Sequence, residues 1–195
     1  MRFRVVAALV LPAALLALPA YASFGGHKDD DQPPPTSPSQ STSSTPSMSA
    51  HDQAAQWYAK AYDVVNKGKE DLANGKDKNA KKKFKDGYSR GEEIVATDST
   101  YHEAWNLMGY TARQLGWFDK SLDAYQHCLR IKPDYAPAHE YLGETYIELK
   151  QLDKAKEQLA ALESLNATDD ANTLRTAIAA YEKANPTTAA GSGSN

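Results

Sequence analysis

Cysteine is almost absent from this chain, because its 195 residues contain only Cys128. A single cysteine cannot form an internal disulfide, and there is no cysteine cluster that could hold structural zinc. The formal net charge is −3, so no excess of basic residues indicates nucleic acid as a partner. The length excludes a large multidomain enzyme and leaves one ordinary domain, with or without unstructured tails.

Long apolar runs are confined to the start of the chain. Arg2 and Arg4 precede an apolar run over residues 5–20, and Ala20-Tyr21-Ala22 supplies a small-x-small cleavage pattern. A membrane-spanning helix needs about 20 apolar residues, and this shorter run also contains two prolines. The pattern predicts a signal peptide over residues 1–22, with an uncleaved anchor as the alternative. We therefore expect an exported protein, periplasmic if bacterial and otherwise secreted, without stable membrane insertion after cleavage.

Two segments have the composition of unstructured chain. Most positions between Gln32 and Ala50 are Ser, Thr or Pro, and such a stretch cannot bury enough apolar surface to offset the loss of conformational entropy on folding. We expect a disordered linker over residues 23–50 and a flexible tail over residues 185–195. The helical domain is then predicted over residues 51–184.

The central segment has apolar residues three and four positions apart and lacks the alternating pattern of strands. This spacing predicts an all-α fold with short connections. The seven expected helices lie near residues 52–73, 77–97, 102–115, 118–131, 136–149, 152–164 and 170–184.

Internal repetition gives the most specific information about the fold. Equivalent residues recur at a constant separation of 34 in two windows, residues 102–135 and 136–169. The repeated pairs are Ala104/Ala138, Gly109/Gly143, Asp119/Asp153, Lys120/Lys154, Ser121/Ala155 and Tyr125/Leu159. Each window predicts a helix, a tight turn and a second helix.

The repeated pattern resembles the tetratricopeptide repeat (TPR) family. The first window carries Trp105, Met108, Gly109, Gly116, Phe118, Ser121, Tyr125, Cys128 and Pro133 at the signature positions, and the second carries Leu142, Gly143, Tyr146, Leu152, Ala155, Leu159 and Leu162. His139 replaces the signature tryptophan in the second window, and Ala112 replaces a tyrosine in the first. The resemblance implies a short right-handed superhelix of about three helical hairpins with a C-terminal capping helix.

An earlier copy is present with altered spacing. Gly68 and Phe84 precede Gly109 and Tyr125 by a constant separation of 41, which is 34 plus two helical turns. The second helix of the first repeat should therefore be elongated. We expect repeats near residues 61–100, 102–135 and 136–169, and a cap at residues 170–184.

No catalytic, metal or cofactor motif is complete. His102-Glu103 and His139-Glu140 begin like a metalloprotease motif, but neither has the second histidine four residues later. No phosphate-binding glycine loop and no nucleophile elbow occurs. We expect a protein that is not an enzyme and that has no cofactor.

The resemblance implies that the first helix of each repeat lines a concave groove. Seven residues are predicted to bind a partner there, namely Glu103, Asn106, Tyr110, Arg113, Glu140, Glu144 and Glu148. Three glutamates at intervals of four repel one another along one helix face unless a cation lies nearby. The hypothesis is a partly acidic groove that receives a basic or mixed peptide segment of another protein. The alternative is an ordinary hydrated helix face.

A lysine-rich stretch lies in the first repeat. Eight lysines and three acidic residues occur between Lys67 and Lys85, and we interpret them mainly as a solvated face. The leading functional hypothesis is an exported, non-enzymatic adaptor. The alternative is a self-associating structural envelope protein, in which this basic hairpin of one copy meets the acidic last hairpin of another.

Overall fold

The computed structural model describes residues 48–186, and within them seven helices and no strand are present. The predicted signal peptide, almost all of the predicted linker and most of the predicted tail lie outside the described residues. The helices are α1 (Ala50–Ala73), α2 (Asp77–Thr97), α3 (His102–Gln114), α4 (Phe118–Ile131), α5 (Ala136–Glu148), α6 (Leu152–Ser164) and α7 (Thr168–Ala184). The all-α prediction is confirmed, and the observed helices agree closely with the predicted ones.

The first helix begins slightly earlier than predicted. Ser49 is its N-cap, and the Ser49 hydroxyl accepts a hydrogen bond from the backbone N–H of Asp52 at 3.0 Å. Capping of this kind satisfies one of the N–H groups that the first helical turn leaves without a partner. The serine-rich composition that indicated a linker up to Ala50 therefore also supplies the helix start.

Consecutive helices pack as three hairpins, α1 with α2, α3 with α4 and α5 with α6. Each hairpin packs on the next, and α7 covers the last one by packing on both α5 and α6. One apolar cluster spans α1 to α3 and a second spans α4 to α7. Helix α2 has 21 residues, whereas α4 has 14 and α6 has 13, which confirms the elongated second helix of the first repeat.

Close approach of the two helices in the first and second hairpins depends on glycine. A Cβ atom placed on Gly109 would lie 2.5 Å from Cε1 of Tyr125, a side chain that is fully buried. A Cβ atom on Gly68 would lie 2.8 Å from Cε1 of Phe84. The first hairpin therefore has the same glycine–aromatic contact as the second, at the positions that the altered spacing had paired.

The first helix of every hairpin ends in the same turn. Gly75, Gly116 and Lys150 have φ values of 70°, 75° and 60°, and the N–H of each following residue bonds back to the carbonyl five positions earlier. This is the Schellman motif, in which glycine is favoured because a Cβ atom disfavours positive φ. Lys150 adopts this conformation without being glycine.

Candidate functional site

The surface on which α1, α3 and α5 adjoin is called the groove face here, because the repeat pattern implies that these helices line the concave side. α1 contacts α3, and α3 contacts α5, so the three first helices are direct neighbours. The sequence-predicted residues from α3 and α5 come together on this face in two groups. Arg113 lies at the centre of one group, and Glu103 belongs to the other.

Arg113 links α3 to the acidic residues of α5. Its Nη2 lies 2.6 Å from Oε2 of Glu144, and its Nη1 donates to Oε1 of Glu148 at 2.8 Å. The Arg113 side chain is only 10% exposed. Burial alone lowers the pKa of Arg113, but the two carboxylates more than offset this effect and raise it. The glutamates find no lysine or arginine on their own helix, and their partner comes from the neighbouring repeat.

Tyr110 lies beside this ion-pair network and contacts two cations of the chain. The Nζ atom of Lys69 is 4.4 Å from the centre of the Tyr110 ring, and the Arg113 guanidinium carbon is 5.6 Å from it. The ring also meets Tyr141, with 5.4 Å between the ring centres. Burial raises the pKa of Tyr110 to about 12. The aromatic side chain that the sequence singled out is therefore already engaged in cation–π contacts within the protein.

Lys69 was not recognised from the sequence, because it belongs to the lysine-rich stretch interpreted as a solvated face. In the structure it is half-buried on α1, and desolvation, followed by repulsion from Arg113, lowers its pKa. Glu140 and Glu144 partly offset this decrease. For this lysine the solvated-face interpretation is wrong, because the inward-facing side of α1 carries it into the groove face.

Other lysines of the stretch fit the original interpretation better. Lys67 pairs with Asp63 at 2.7 Å, and both side chains are more than half exposed. Lys83 pairs with Asp71, which Lys76 also approaches at 3.9 Å. These ion pairs lie within the first hairpin and compensate part of its positive charge.

Glu140 and Asp170 connect the groove face to the capping helix. Burial, then a hydrogen bond with Asp170 and repulsion from Glu144, raises the pKa of Glu140 to about 9. This shift favours the protonated form of Glu140, so the acidic side chains of α5 contribute less than three full negative charges. Asn106 is also less accessible than predicted, because it is 8% exposed and its Oδ1 has no hydrogen-bond partner among the described residues.

Glu103 lies away from the Arg113 network, among four tyrosines that the sequence did not single out. They are Tyr58 and Tyr62 of α1, Tyr101 just before α3 and Tyr135 just before α5. Tyr101 and Tyr135 are separated by one full repeat, so their periodicity was a signal that could have identified them. We call these four residues the tyrosine cluster.

Cys128 lies close to the same group and is fully buried. Burial, followed by the negative charge of Glu103, raises the pKa of the Cys128 thiol to about 12. A thiol in this state is a poor nucleophile, because the thiolate is the reactive form. Its position is that of a small packing residue, as the repeat pattern implies.

Two kinds of feature are absent from residues 48–186. No group of three His, Cys, Asp or Glu side chains is placed to hold a metal ion there. No helix in this part of the chain is both long and apolar enough to cross a membrane.

Comparison with known proteins agrees with this geometry. Residues 112–178 match the model of a family described as tetratricopeptide repeat. No curated protein is significantly similar in sequence to the chain.

Solved structures share the fold at low sequence identity. The Yersinia enterocolitica type III secretion translocator chaperone SycD has a TM-score of 0.53 at 14% identity, covering 67% of this chain and 92% of that one. SycD in complex with a peptide of the translocator YopD has a TM-score of 0.52 at 13% sequence identity, and the match covers 67% of this chain and 93% of that one. The Sgt2 TPR domain from Aspergillus fumigatus has a TM-score of 0.51 at 10% sequence identity, and the match covers 70% of this chain and 85% of that one. The helical body of this chain is therefore a TPR-like all-α stack that carries a tetratricopeptide repeat match from the end of α3 into α7.

Proposed function

We propose that the chain is an exported, non-enzymatic adaptor that holds a segment of a partner protein against its groove face. The observation that carries this proposal is the chemistry of that face, where charged and aromatic side chains from α1, α3 and α5 converge on one surface. A structure with the same fold, that of SycD, is described in complex with a peptide of YopD, and this supports peptide binding here. Lys69, Arg113 and the carboxylates of α5 suit a segment of mixed charge better than a purely basic one.

Export is supported by the sequence pattern of residues 1–22. Mass spectrometry of the protein from its own cells should find a mature chain that begins at Ser23 and is located outside the cytoplasm. A chain that retains Met1 and remains in the cytoplasm would contradict the export proposal.

Partner binding can be tested by site-specific photo-crosslinking in the intact cell envelope or secretion medium. A photoreactive residue at Glu148, which is on the groove face and exposed, should capture a defined protein segment. The matched control has the photoreactive residue in place of Gln126, an exposed position on α4. A synthetic peptide of the captured segment should then bind the purified protein, and Glu148→Lys should weaken this binding. Equal crosslinking from both positions, or no loss in the variant, would refute the groove face as the binding surface.

Self-association through opposite charges is less well supported. Asp63 and Asp71 compensate several lysines of the first hairpin, and Arg113 compensates carboxylates of the last one. Within one copy, part of the charge that would have to attract a second copy is therefore already neutralised by these ion pairs. Sedimentation that shows salt-sensitive oligomers would favour the alternative.

A further inference from the structure

The tyrosine cluster joins three hairpins at one end of the groove face. The Tyr58 ring centre is 5.4 Å from that of Tyr101 and 5.8 Å from that of Tyr62. Tyr135 is close enough for Tyr62 and Tyr101 to raise its pKa, although burial contributes most. Aromatic side chains from α1 and from the starts of α3 and α5 therefore lie near one another at this end of the groove face.

The cluster is open to solvent on one side. Tyr62 is 41% exposed, whereas Tyr101 is 8% exposed and the other two tyrosines are half-buried. The exposed Tyr62 ring is therefore accessible to a side chain of a partner.

Glu103 adds a negative charge to the cluster. Its field adds to the effect of burial in raising the pKa of Tyr58, Tyr101 and Tyr135. Within residues 48–186 its ion-pair partner is His102, with Nδ1 at 3.1 Å from Oε2. Burial, the largest cause, lowers the pKa of His102 and so favours its neutral form, although the charge of Glu103 opposes this. A half-buried carboxylate is stabilised by a lysine or arginine side chain that reaches it.

At the other end of the groove face, a tyrosine ring and a carboxylate have cations of the chain as partners. There Lys69 and Arg113 approach the Tyr110 ring, and Arg113 also neutralises Glu144. Among the described residues no lysine or arginine approaches a ring of the tyrosine cluster in the same way. The cluster has the rings and the carboxylate of a cation site, and the basic side chains that contact its rings in residues 48–186 are the imidazoles of His51 and His102.

We propose that Tyr58, Tyr62, Tyr101, Tyr135 and Glu103 form a subsite that takes an arginine or lysine side chain of the bound partner segment. This rests on the proposed function, because the cation is supplied by a segment lying on the groove face. The tyrosine rings contact the cation through their faces, and the Glu103 carboxylate pairs with it. An apolar side chain in the same place would bury the carboxylate further without a counterion.

The test uses the mature full chain and two short peptides that differ by one charge. Acetyl-Gly-Arg-Gly-amide is titrated while the aromatic resonances of the tyrosines are followed by NMR. Acetyl-Gly-citrulline-Gly-amide, which has nearly the same shape but no charge, is the control peptide. We expect saturable shifts of the cluster tyrosines with the arginine peptide at millimolar concentration, and at least about tenfold weaker binding of the citrulline peptide.

Variants locate the subsite. Glu103→Gln should weaken arginine-peptide binding about tenfold, because it removes the paired charge and keeps the shape. Tyr62→Leu should weaken it similarly, whereas Tyr62→Phe should retain it, because the ring face is kept. Glu92→Gln on the exposed side of α2 should change nothing. Circular dichroism establishes that each variant is folded before its binding is compared.

The outcomes separate this inference from the proposed function. If both peptides bind equally, or if neither shifts the cluster tyrosines, the cation subsite is refuted while groove-face crosslinking to a partner can still succeed. If the arginine peptide binds at the cluster but Glu148 captures no partner segment, the subsite stands and the adaptor function falls.

Discussion

Arg113 on α3 reaches across to α5 and pairs with Glu144 at 2.6 Å while remaining almost completely buried. The contact joins the second repeat to the third through charge, in addition to the apolar packing between them. It also determines the charge of the groove face, since Glu144 and Glu148, which would otherwise repel one another, both pair with one guanidinium.

Arg113→Met should destabilise the protein by about 2–3 kcal/mol, because it leaves Glu144 without its cation in a poorly solvated place. The matched control is Arg90→Met, since Arg90 pairs with Asp86 at 3.0 Å while both side chains stay largely in contact with solvent. That change should cost less than about 0.5 kcal/mol. Urea unfolding followed by circular dichroism measures both. Equal losses would show that the buried network contributes nothing specific.

Glu140→Gln should change how stability depends on pH. The raised pKa means that the folded state holds a proton that the unfolded state releases near pH 4.5, so wild-type stability falls as pH rises from about 5 to about 9. The variant has no titratable group at this position, so its stability does not fall in this way as pH rises. It keeps the hydrogen bond to Asp170. We expect equal stability near pH 5 and an advantage for the variant on the order of 1 kcal/mol near pH 9, after allowance for partial exposure.

The groups that face Glu140 are Lys69, Arg113, Glu144 and Asp170, and all four are retained in the comparison. Thermal unfolding of both proteins across the pH range gives the difference directly. A constant difference at every pH would contradict the protonated state of Glu140.

Gly109→Ala should destabilise the protein even though alanine favours helices over glycine by about 1 kcal/mol. The added Cβ would lie 2.5 Å from a Tyr125 ring that has no room to move, and overpacking typically costs about 1–3 kcal/mol. The steric cost therefore outweighs the gain in helix propensity, and the free energy of unfolding measured in urea should fall by about 1–2 kcal/mol. In a Tyr125→Leu background the loss should shrink, and a loss that stays the same would exclude the contact as the cause.

Lys150→Gly should stabilise the protein by about 0.5–1 kcal/mol, because Lys150 has a φ of 60° in the turn where the other two hairpins have glycine. The control is Glu157→Gly, at an exposed position inside α6, which should cost about 1 kcal/mol. Thermal melting resolves both shifts. Destabilisation by both changes would show that the turn conformation of Lys150 carries no strain.

The repeat fold could be predicted from the sequence because its signals are local and periodic. Gly109 and Gly143 mark the close helix contacts at a fixed separation, and Gly75 and Gly116 mark the turns. The elongated α2 followed from the wider separation between the first copy of the pattern and the second. The candidate site was less predictable, because its chemistry depends on which side chains from different repeats meet.

Lys69 illustrates this difference. Its neighbours in sequence suggested a hydrated basic face, and only the packing of α1 against α3 brings it over the Tyr110 ring. Tyr58 likewise meets Tyr101 through tertiary structure, since the whole of α2 separates them along the chain.

The order of hydrophobic and small residues was enough by itself to determine helices, turns and the stacking of hairpins, because those features depend on spacing within one repeat. The pairing of Arg113 with Glu144, the raised pKa of Glu140 and the position of Glu103 beside the tyrosines were decided only by tertiary structure. Each depends on how far a charge lies from water and from the charges of another helix, and those distances are fixed when the hairpins pack.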